Sequence, residues 1–269
     1  MGEAIVITSG KGGVGKTTTS ANLGTALALL DKKVCLVDTD IGLRNLDVAL
    51  GLENRIIYDL VDVVQGRCKI HQAIVKDKRF DDKLFLLPAA QTSDKSAVMP
   101  EQMKQLIHEL KQEYDYILID CPAGIEQGYK NAVAGADQAI VVATPETSAV
   151  RDADRIIGLL EKEEHIEPPK LIINRIRNHM MKSGDMLDID EVTSHLSIDL
   201  IGVVEDDEEV IRASNQGEPI ALNPNNRASI AYRNIARRIL GETIPLQPLE
   251  NPKTGMFAKF KKLFSSKTS

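Results

Sequence analysis

The chain contains no tryptophan, and aromatic residues make up only 4 % of its 269 residues. A surface that stacks nucleic-acid bases is built from aromatic side chains, so this scarcity argues against such a platform. The net charge of −6 at pH 7 also disfavours non-specific DNA binding by the surface as a whole. The composition therefore argues against DNA as a partner, unless a local basic patch binds it.

Cysteine is scarce as well. The three cysteines, Cys35, Cys68 and Cys121, are odd in number and show no C-x-x-C spacing. We therefore expect reduced side chains in a cytoplasmic protein rather than a disulfide framework. No signal-peptide pattern opens the chain, and no apolar run reaches the roughly 20 residues that span a bilayer. The sequence thus predicts a protein that is neither secreted nor transmembrane.

What the sequence does contain is a glycine-rich stretch, GKGGVGKTT, at residues 10–18, between an apolar run and a helix-like segment. This order of strand, loop and helix gives the pattern G-x-x-x-x-G-K-[ST] its chemical meaning. The glycines leave backbone N–H groups open to phosphate, and the positive end of the helix faces the same anions. We expect Lys16 to reach the β- and γ-phosphates of ATP and the Thr17 hydroxyl to ligate Mg²⁺.

Acidic residues follow two other apolar runs at the point where each run ends. Asp38 and Asp40 come after residues 33–37, and Asp120 comes after residues 114–119. Ligands bind at the carboxyl ends of parallel strands, so these carboxylates should lie beside the glycine loop. We expect Asp120 to hold Mg²⁺, Asp38 to serve the magnesium shell or to bond the following loop, and Asp40 to orient the attacking water. The predicted metal set is Thr17, Asp38 and Asp120.

The order of apolar segments predicts the fold class. At least six strand candidates alternate with segments of helical spacing at residues 56–64, 100–113, 148–160 and 228–240. Runs that are apolar throughout suit a parallel sheet buried on both faces. We therefore predict an α/β protein with a doubly wound, mostly parallel sheet and helices on both faces, formed by one domain at residues 1–242.

Residues 243–264 have a composition different from that of the domain and predict a linker followed by an amphipathic helix. Residues 243–255 contain three prolines and predict a flexible linker. Residues 256–264 place five apolar side chains on one helical face bordered by lysines, with no acidic residue from Pro252 onward. Such a helix is typical of attachment to an anionic membrane surface. The predicted membrane residues are Met256, Phe257, Phe260, Leu263, Phe264, Lys259, Lys261 and Lys262.

An ordinary phosphate loop does not require Lys11. With it, residues 11–17 read K-G-G-x-G-K-T, and here the sequence resembles the deviant Walker A family of P-loop ATPases, which belongs to the SIMIBI type. The resemblance extends along nearly the whole chain and is greatest to the membrane-associated members that place the bacterial division site. It implies slow, Mg²⁺-dependent ATP hydrolysis by a homodimer that forms in the ATP state, with Lys11 reaching the phosphates of the partner subunit.

The resemblance also implies roles for individual residues. The catalytic set becomes Lys11, Lys16 and Asp40, and Asn174, at the end of an apolar run, is expected to read the adenine base. Asp152 and Asp154 are candidate partner-binding residues. The implied partners are a MinC-like septation inhibitor and an activating or positioning partner. The nucleotide-binding set is Lys11, Gly12, Gly13, Val14, Gly15, Lys16, Thr17, Thr18 and Asn174.

On this interpretation, ATP-driven dimerisation controls reversible peripheral binding to the inner face of the cell membrane, and septum formation is inhibited away from midcell. Three alternatives remain. A regulator of flagellar number in the same family would share the motifs and the tail. A ParA-like DNA-partitioning ATPase would share the motif but needs a basic surface. An iron–sulfur protein of the nitrogenase-reductase type needs a cysteine pair that bridges a dimer, whereas Cys121 lies in the Asp120-x-Pro-Ala-Gly motif and Cys68 stands alone.

Overall fold

Strand β1 (Glu3–Thr8) shows why the sheet is buried on both sides. Successive side chains of a strand point to opposite faces, and every residue from Ala4 to Thr8 is buried. Ala4 and Val6 pack into one apolar cluster, whereas Ile5 and Ile7 pack into the other. The sheet therefore lies between two hydrophobic cores, as a continuous apolar run predicts.

The computed structural model describes residues 1–249. In that part of the chain eight strands form one sheet. The strands after β1 are β2 (Val34–Asp38), β3 (Val75–Lys76), β4 (Leu84–Leu87), β5 (Tyr116–Asp120), β6 (Gln138–Ala143), β7 (Lys170–Ile176) and β8 (Asp199–Glu205). Their order in the sheet is β3-β4-β2-β5-β1-β6-β7-β8, and all neighbouring pairs are parallel except β3 with β4. The predicted fold class is confirmed.

Helices cover both faces of the sheet. The helices are α1 (Lys16–Leu29), α2 (Leu46–Leu50), α3 (Leu60–Val64), α4 (Ile70–Ala73), α5 (Pro100–Leu110), α6 (Gln127–Val133), α7 (Thr147–Leu160), α8 (Asn178–Ser183), α9 (Ile189–Leu196), α10 (Glu208–Asn215) and α11 (Arg227–Ile239). One face of the sheet is covered by apolar residues of α3, α5, α6, α7 and α9, and the other by those of α1, α2 and α11.

One predicted helix is wrong at its start. The segment 56–64 is helical only over Leu60–Val64, because Asp59 caps that helix by accepting the main-chain N–H of Asp62. A cap fixes the first turn, so the chain before it is not helical. Ile57 is accordingly 82 % exposed. Apolar spacing alone did not reveal this cap.

The beginning of the predicted linker is hydrogen-bonded to the domain. Arg238 donates from Nε to the Ile244 carbonyl at 3.0 Å and from Nη2 to the Pro245 carbonyl at 2.8 Å. Arg227 donates to the Pro248 carbonyl at 2.6 Å. The described part of the linker therefore follows the surface of the domain beside α11. The predicted membrane residues, from Met256 to Phe264, lie outside the described residues.

Within residues 1–249, no helix combines the length and the apolar character needed to cross a membrane.

Two glycines give a matched test of the packing. A Cβ at Gly202 on β8 would lie 2.2 Å from Cγ1 of Ile235 on α11, whereas a Cβ at Gly158 within α7 would meet no atom within 4 Å. We expect Gly202→Ala to destabilise the protein by about 1–3 kcal/mol through overpacking. Gly158→Ala should stabilise it by about 0.4–1 kcal/mol, because alanine favours a helix.

The measurement is the free energy of unfolding in urea for both variants and the unaltered protein. Equal effects of the two substitutions would contradict the close approach of α11 to β8.

Candidate functional site

The glycine-rich loop lies between the central strand β1 and helix α1, as predicted. Gly13 and Gly15 have φ angles of +79° and +98°, in the left-handed region that favours glycine. Val14 between them is buried, so it anchors the loop to the core while Gly12 and Gly13 face solvent. Helix α1 begins at Lys16 directly after Gly15. The loop and the first turn of the helix thus form one anion-binding surface.

Lys16 is the positive charge inside this loop. Its side chain is almost buried, and its ammonium group donates to the Ser9 hydroxyl at 2.9 Å. The Ser9 hydroxyl in turn donates to the Lys11 carbonyl at 2.7 Å. Ser9 therefore connects the lysine that is expected to bind phosphate with the first turn of the loop.

Asp120, at the end of β5, is held by the first turns of α1. Thr17 Oγ1 donates to one carboxylate oxygen at 2.7 Å, and Ser20 Oγ donates to the other at 2.8 Å. The Thr39 hydroxyl donates to the main-chain carbonyl of Asp120 at 2.7 Å. Both oxygens of a buried carboxylate are thus oriented by hydroxyl groups, and one of these is the threonine of the loop motif.

Asp38 bonds the segment that follows β2. Its two carboxylate oxygens accept the main-chain N–H of Asp40 at 2.9 Å and that of Leu46 at 3.2 Å. Of the two roles predicted for Asp38, the structure shows the loop hydrogen bonding. Asp40 is half-buried and lies two residues after the end of β2. Burial is the main cause of the raised pKa of Asp38 and of Asp120, and the charge of Asp40 raises both slightly further.

The two buried acids are neighbours, since Asp38 of β2 pairs in register with Asp120 of β5. Burial, followed by the nearby Asp120 charge, raises the pKa of the Asp38 carboxyl well above its usual range. Burial also raises the pKa of Asp120, against the lowering effect of the hydrogen bonds from Thr17 and Ser20. Two like charges in a site of low polarity create a local preference for a cation.

Lys11 and helix α7 meet at the mouth of the site. The ammonium group of the exposed Lys11 donates to the Ser148 hydroxyl at 3.2 Å. A Cβ at Gly10 would lie 2.0 Å from the Asp152 carbonyl oxygen, so α7 passes directly against the loop. Asp152 is half-exposed and Asp154 is exposed. The candidate partner residues therefore lie on the helix that flanks the phosphate loop.

A cavity of about 210 Å³ opens beside the loop. Gly15 and Thr18 form one side of it, and Asn174 and Arg175, at the end of β7, form another. The third side comes from the end of β8 and from α10, including the partly exposed Ile211. Its position next to the phosphate loop suits the base and ribose of a nucleotide.

Comparisons with known proteins agree with this geometry. An AAA-domain family model matches residues 2–173. The chain is 78 % identical to the septum site-determining protein MinD of Bacillus subtilis, over 98 % of both chains. The chain belongs to the MinD family. These proteins are septum site-determining ATPases of cell division, and the family places the chain among ATP-binding P-loop proteins.

Two solved MinD structures match the fold. MinD in a MinC:MinD cell division protein complex from Aquifex aeolicus superposes with a TM-score of 0.85, is 49 % identical and covers 92 % of this chain and 100 % of its own. MinD from Pyrococcus horikoshii, complexed with Mg-ADP, gives a TM-score of 0.80 at 30 % identity, over 89 % of this chain and 96 % of its own.

The donor set fits magnesium. Asp120 and Asp38 are buried neighbours whose like charges favour a cation, and the Thr17 hydroxyl touches Asp120. Hard oxygen donors of this kind suit Mg²⁺, which needs few protein ligands because it retains several waters. Within residues 1–249, no group of three or more His, Cys, Asp or Glu side chains is placed to hold a metal ion. Thr17 and Asp120 are the residues that would hold the ion with a nucleotide.

The iron–sulfur alternative finds no support in the MinD fold. Cys121 is buried at the end of β5, and burial raises the pKa of its thiol to about 12. A cluster ligand must be a thiolate, which this environment disfavours. Cys35 is also buried, so neither side chain is exposed to bridge a dimer.

Sequence reasoning missed the polar residues that orient the predicted ones. Ser20 follows Thr17 at i+3, so helical spacing could have placed both on the face toward Asp120. Ser9 gave no signal, because its contact with Lys16 depends on the path of the loop. The Asn174 amide bonds to the Val14 carbonyl 160 positions away, which no local pattern reveals.

Removing one buried charge should change the pH dependence of stability. A carboxyl group whose pKa is raised by folding contributes stability below its unfolded pKa of about 4, and that stability is lost as the pH rises through the folded pKa. We expect Asp120→Asn to lose less stability than the unaltered protein between about pH 5 and pH 8 in EDTA. The amide can still bond Thr17 and Ser20, whose hydroxyl groups rotate.

The measurement is the urea midpoint at both pH values, with Glu101→Gln, at an exposed position of α5, as the matched control. An identical pH dependence for Asp120→Asn and the unaltered protein would contradict the mutual repulsion of the two buried acids.

Proposed function

We propose that this protein is a Mg²⁺-dependent ATP hydrolase whose ATP-bound dimer attaches reversibly to the membrane and helps to place the division site. The observation that carries the proposal is the phosphate loop with Lys11 and Lys16, set beside the paired acids Asp38 and Asp120 in a chain of the MinD family. The 78 % identity to a septum site-determining protein favours this role over a regulator of flagellar number or a DNA-partitioning ATPase.

Each residue of the site has a separate role in the proposed hydrolysis of ATP. The loop N–H groups and the buried Lys16 ammonium bind the phosphates and stabilise the charge that develops in phosphoryl transfer. Asp40, whose main-chain N–H bonds to Asp38 at the end of β2, orients the attacking water. Magnesium, when bound, neutralises negative charge on the phosphate oxygens. Thr17 and Asp120 are placed to hold it, and Ser20 keeps the Asp120 carboxylate oriented.

Face-to-face dimerisation accounts for the exposed residues around the site. Lys11 is exposed at the mouth of the loop, where it can extend toward the phosphates of a second copy. Two apolar side chains, Leu43 and Ile125, belong to the segments after β2 and β5 and are 65 % and 47 % exposed. A second subunit would cover them and exclude water from the phosphates.

The tail would couple dimerisation to the membrane. Each large apolar side chain contributes roughly 1.5–3 kcal/mol on burial and each lysine roughly 1 kcal/mol near anionic lipid. Ordering the segment costs about 2–5 kcal/mol or more, and shallow insertion reduces the gain. One helix at residues 256–264 should therefore bind weakly, whereas two joined in a dimer bind far more tightly through effective concentration. We propose residues 243–255 as the linker.

A septation inhibitor is the proposed partner. MinD of Aquifex aeolicus has been solved in a MinC:MinD complex, and its chain is 49 % identical to this one. In the present structure Asp152 and Asp154 lie on α7, the helix that packs against Gly10 and contacts Lys11, so binding to this helix would respond to the nucleotide state. We propose this face for a MinC-like inhibitor and for an activating or positioning partner.

Sedimentation with vesicles tests the membrane switch. We expect the full chain to sediment with anionic phosphatidylglycerol vesicles in ATP but far less in ADP. A chain truncated after Pro252 should stay in the supernatant in both nucleotides, because it lacks the predicted helix. Neutral phosphatidylcholine vesicles are the control for charge. Equal sedimentation in ATP and ADP would refute nucleotide control, and sedimentation of the truncated chain would refute the role of the tail.

Two substitutions separate dimerisation from hydrolysis. Lys11→Ala should remain monomeric in ATP, because the contact across the interface is lost. Asp40→Ala should dimerise in ATP but release phosphate at a rate lower by about 10²-fold or more, the usual contribution of a group that positions or activates a reactant. Light scattering after gel filtration measures the first property, and a phosphate-release assay measures the second.

Lys162→Ala, at an exposed lysine just after α7, is the matched control for loss of a surface charge. A dimer formed by Lys11→Ala, or unaltered hydrolysis by Asp40→Ala, would remove the corresponding residue from the proposed mechanism.

A further inference from the structure

Asn174 bonds the phosphate loop directly. Its side chain is only 5 % exposed, and its Nδ2 donates to the Val14 carbonyl at 2.8 Å. The other end of the amide, Oδ1, accepts the main-chain N–H of Arg175 at 2.9 Å. Both ends of the amide therefore bond to main chain of the protein, although the family resemblance assigns this residue to the adenine base.

The Val14 contact fixes the plane of one peptide group. A trans peptide is planar, and its C=O and N–H groups point in opposite directions. Holding the Val14 carbonyl toward Asn174 on β7 therefore aims the Gly15 N–H in the opposite direction, away from β7. That N–H is one of the donors on which a phosphate loop depends. An unheld Val14–Gly15 peptide could rotate and withdraw this donor.

The lack of a side chain at Gly15 leaves room for the Asn174 amide. Its φ angle of +98° favours glycine, and a Cβ at this position would lie 2.4 Å from Nδ2 of Asn174. The absence of a side chain at Gly15 thus serves the approach of Asn174 as well as the turn itself. The glycine and the asparagine fit each other.

The end of β7 is shaped to present Asn174 to the loop. Its pairing with β8 shifts register between Ile173 and Ile176, and Arg175 has a φ angle of +56°. Such an irregularity in a strand redirects the neighbouring side chains. A left-handed conformation at a non-glycine residue is costly, and the bond from the Arg175 N–H to the Asn174 side chain helps to hold it. The strand end and the loop are therefore built as one unit.

We propose that Asn174 is a positioning residue of the phosphate loop: by holding the Val14 carbonyl it aims the Gly15 N–H at the phosphates of the nucleotide. The proposal deepens the ATP-binding site proposed above and rests on it. It gives a different expectation from base reading. A base-reading residue matters only for nucleotides, whereas a residue that positions the loop matters for any polyphosphate.

The test compares ATP with inorganic tripolyphosphate, which has no base. Both are measured in Mg²⁺ as competitors of a fluorescent ADP bound to the full chain, in the unaltered protein and in Asn174→Ala. We expect Asn174→Ala to weaken both competitors by a similar factor of roughly ten, as is typical when a buried carbonyl loses its partner. A loss confined to ATP, with tripolyphosphate unaffected, would overturn the proposal.

Two further variants make the result specific. Asn174→Leu keeps the branched shape of the side chain and removes its hydrogen bonds, so it should lose tripolyphosphate affinity as Asn174→Ala does. Recovery of full affinity in Asn174→Leu would assign the effect to packing and overturn the proposal. Ile211 lies on the far side of the cavity, where the base is expected. Ile211→Ala is therefore the control for loss of a contact with the base, and it should lower the affinity for ATP but not for tripolyphosphate. Melting temperatures establish that the variants are folded.

Measurements on the unaltered protein distinguish failure of the proposed function from failure of the role assigned to Asn174. Failure to bind ATP at all would overturn the proposed function and this assignment with it. Binding of ATP by the unaltered protein, with selective loss of ATP but not tripolyphosphate in Asn174→Ala, would overturn the assignment alone.

Discussion

The site depends on two carboxylates buried side by side at the ends of β2 and β5. Asp38 and Asp120 are adjacent in register, and each is almost fully buried. Charged groups in such a place are costly unless hydrogen bonds or a cation compensate them. The hydroxyl groups of Thr17 and Ser20 and the N–H groups after β2 supply the bonds. Because these bonds come from α1 and from the segment after β2, they fix both elements, and with α1 the phosphate loop, against the two acids.

The arrangement makes Asp120 the link between the loop and the sheet. Thr17 and Ser20 project from the first turns of α1, which begins where the phosphate loop ends. Their bonds to one carboxylate orient α1 relative to β5, while Asn174 connects the loop to β7 on the other side. The loop is thus supported by two strands that flank β1 at different distances. Main-chain donors supported in this way need little reorganisation on binding phosphate, which is what electrostatic preorganisation requires.

The sequence allowed the loop, the sheet and the positions of its acids to be predicted, because each has a local signal. Apolar runs marked the parallel strands, and the acids lay where those runs ended. The two-residue strand β3 and the start of α3 were missed, since a pairing that short and a cap at Asp59 hardly alter apolar spacing. The partners of Lys16, Asp120 and Asn174 depend on how distant segments fold together. Local patterns therefore predict the reactive groups but not the groups that orient them.

The bonds of Asp38 connect the phosphate site with the surface proposed for dimerisation. One carboxylate contacts the N–H groups of Asp40 and Leu46, and so holds both ends of the segment that contains the exposed Leu43. The same carboxylate lies beside Asp120, the residue that would hold magnesium with the nucleotide. A change of charge at Asp120 therefore acts on a group that is bonded to the neighbouring segment. The charge of Asp120 favours the neutral form of Asp38. A hydrogen bond to an ionised acceptor is stronger than one to a neutral acceptor, so the strength of the Asp38 bonds to this segment depends on the charge of Asp120.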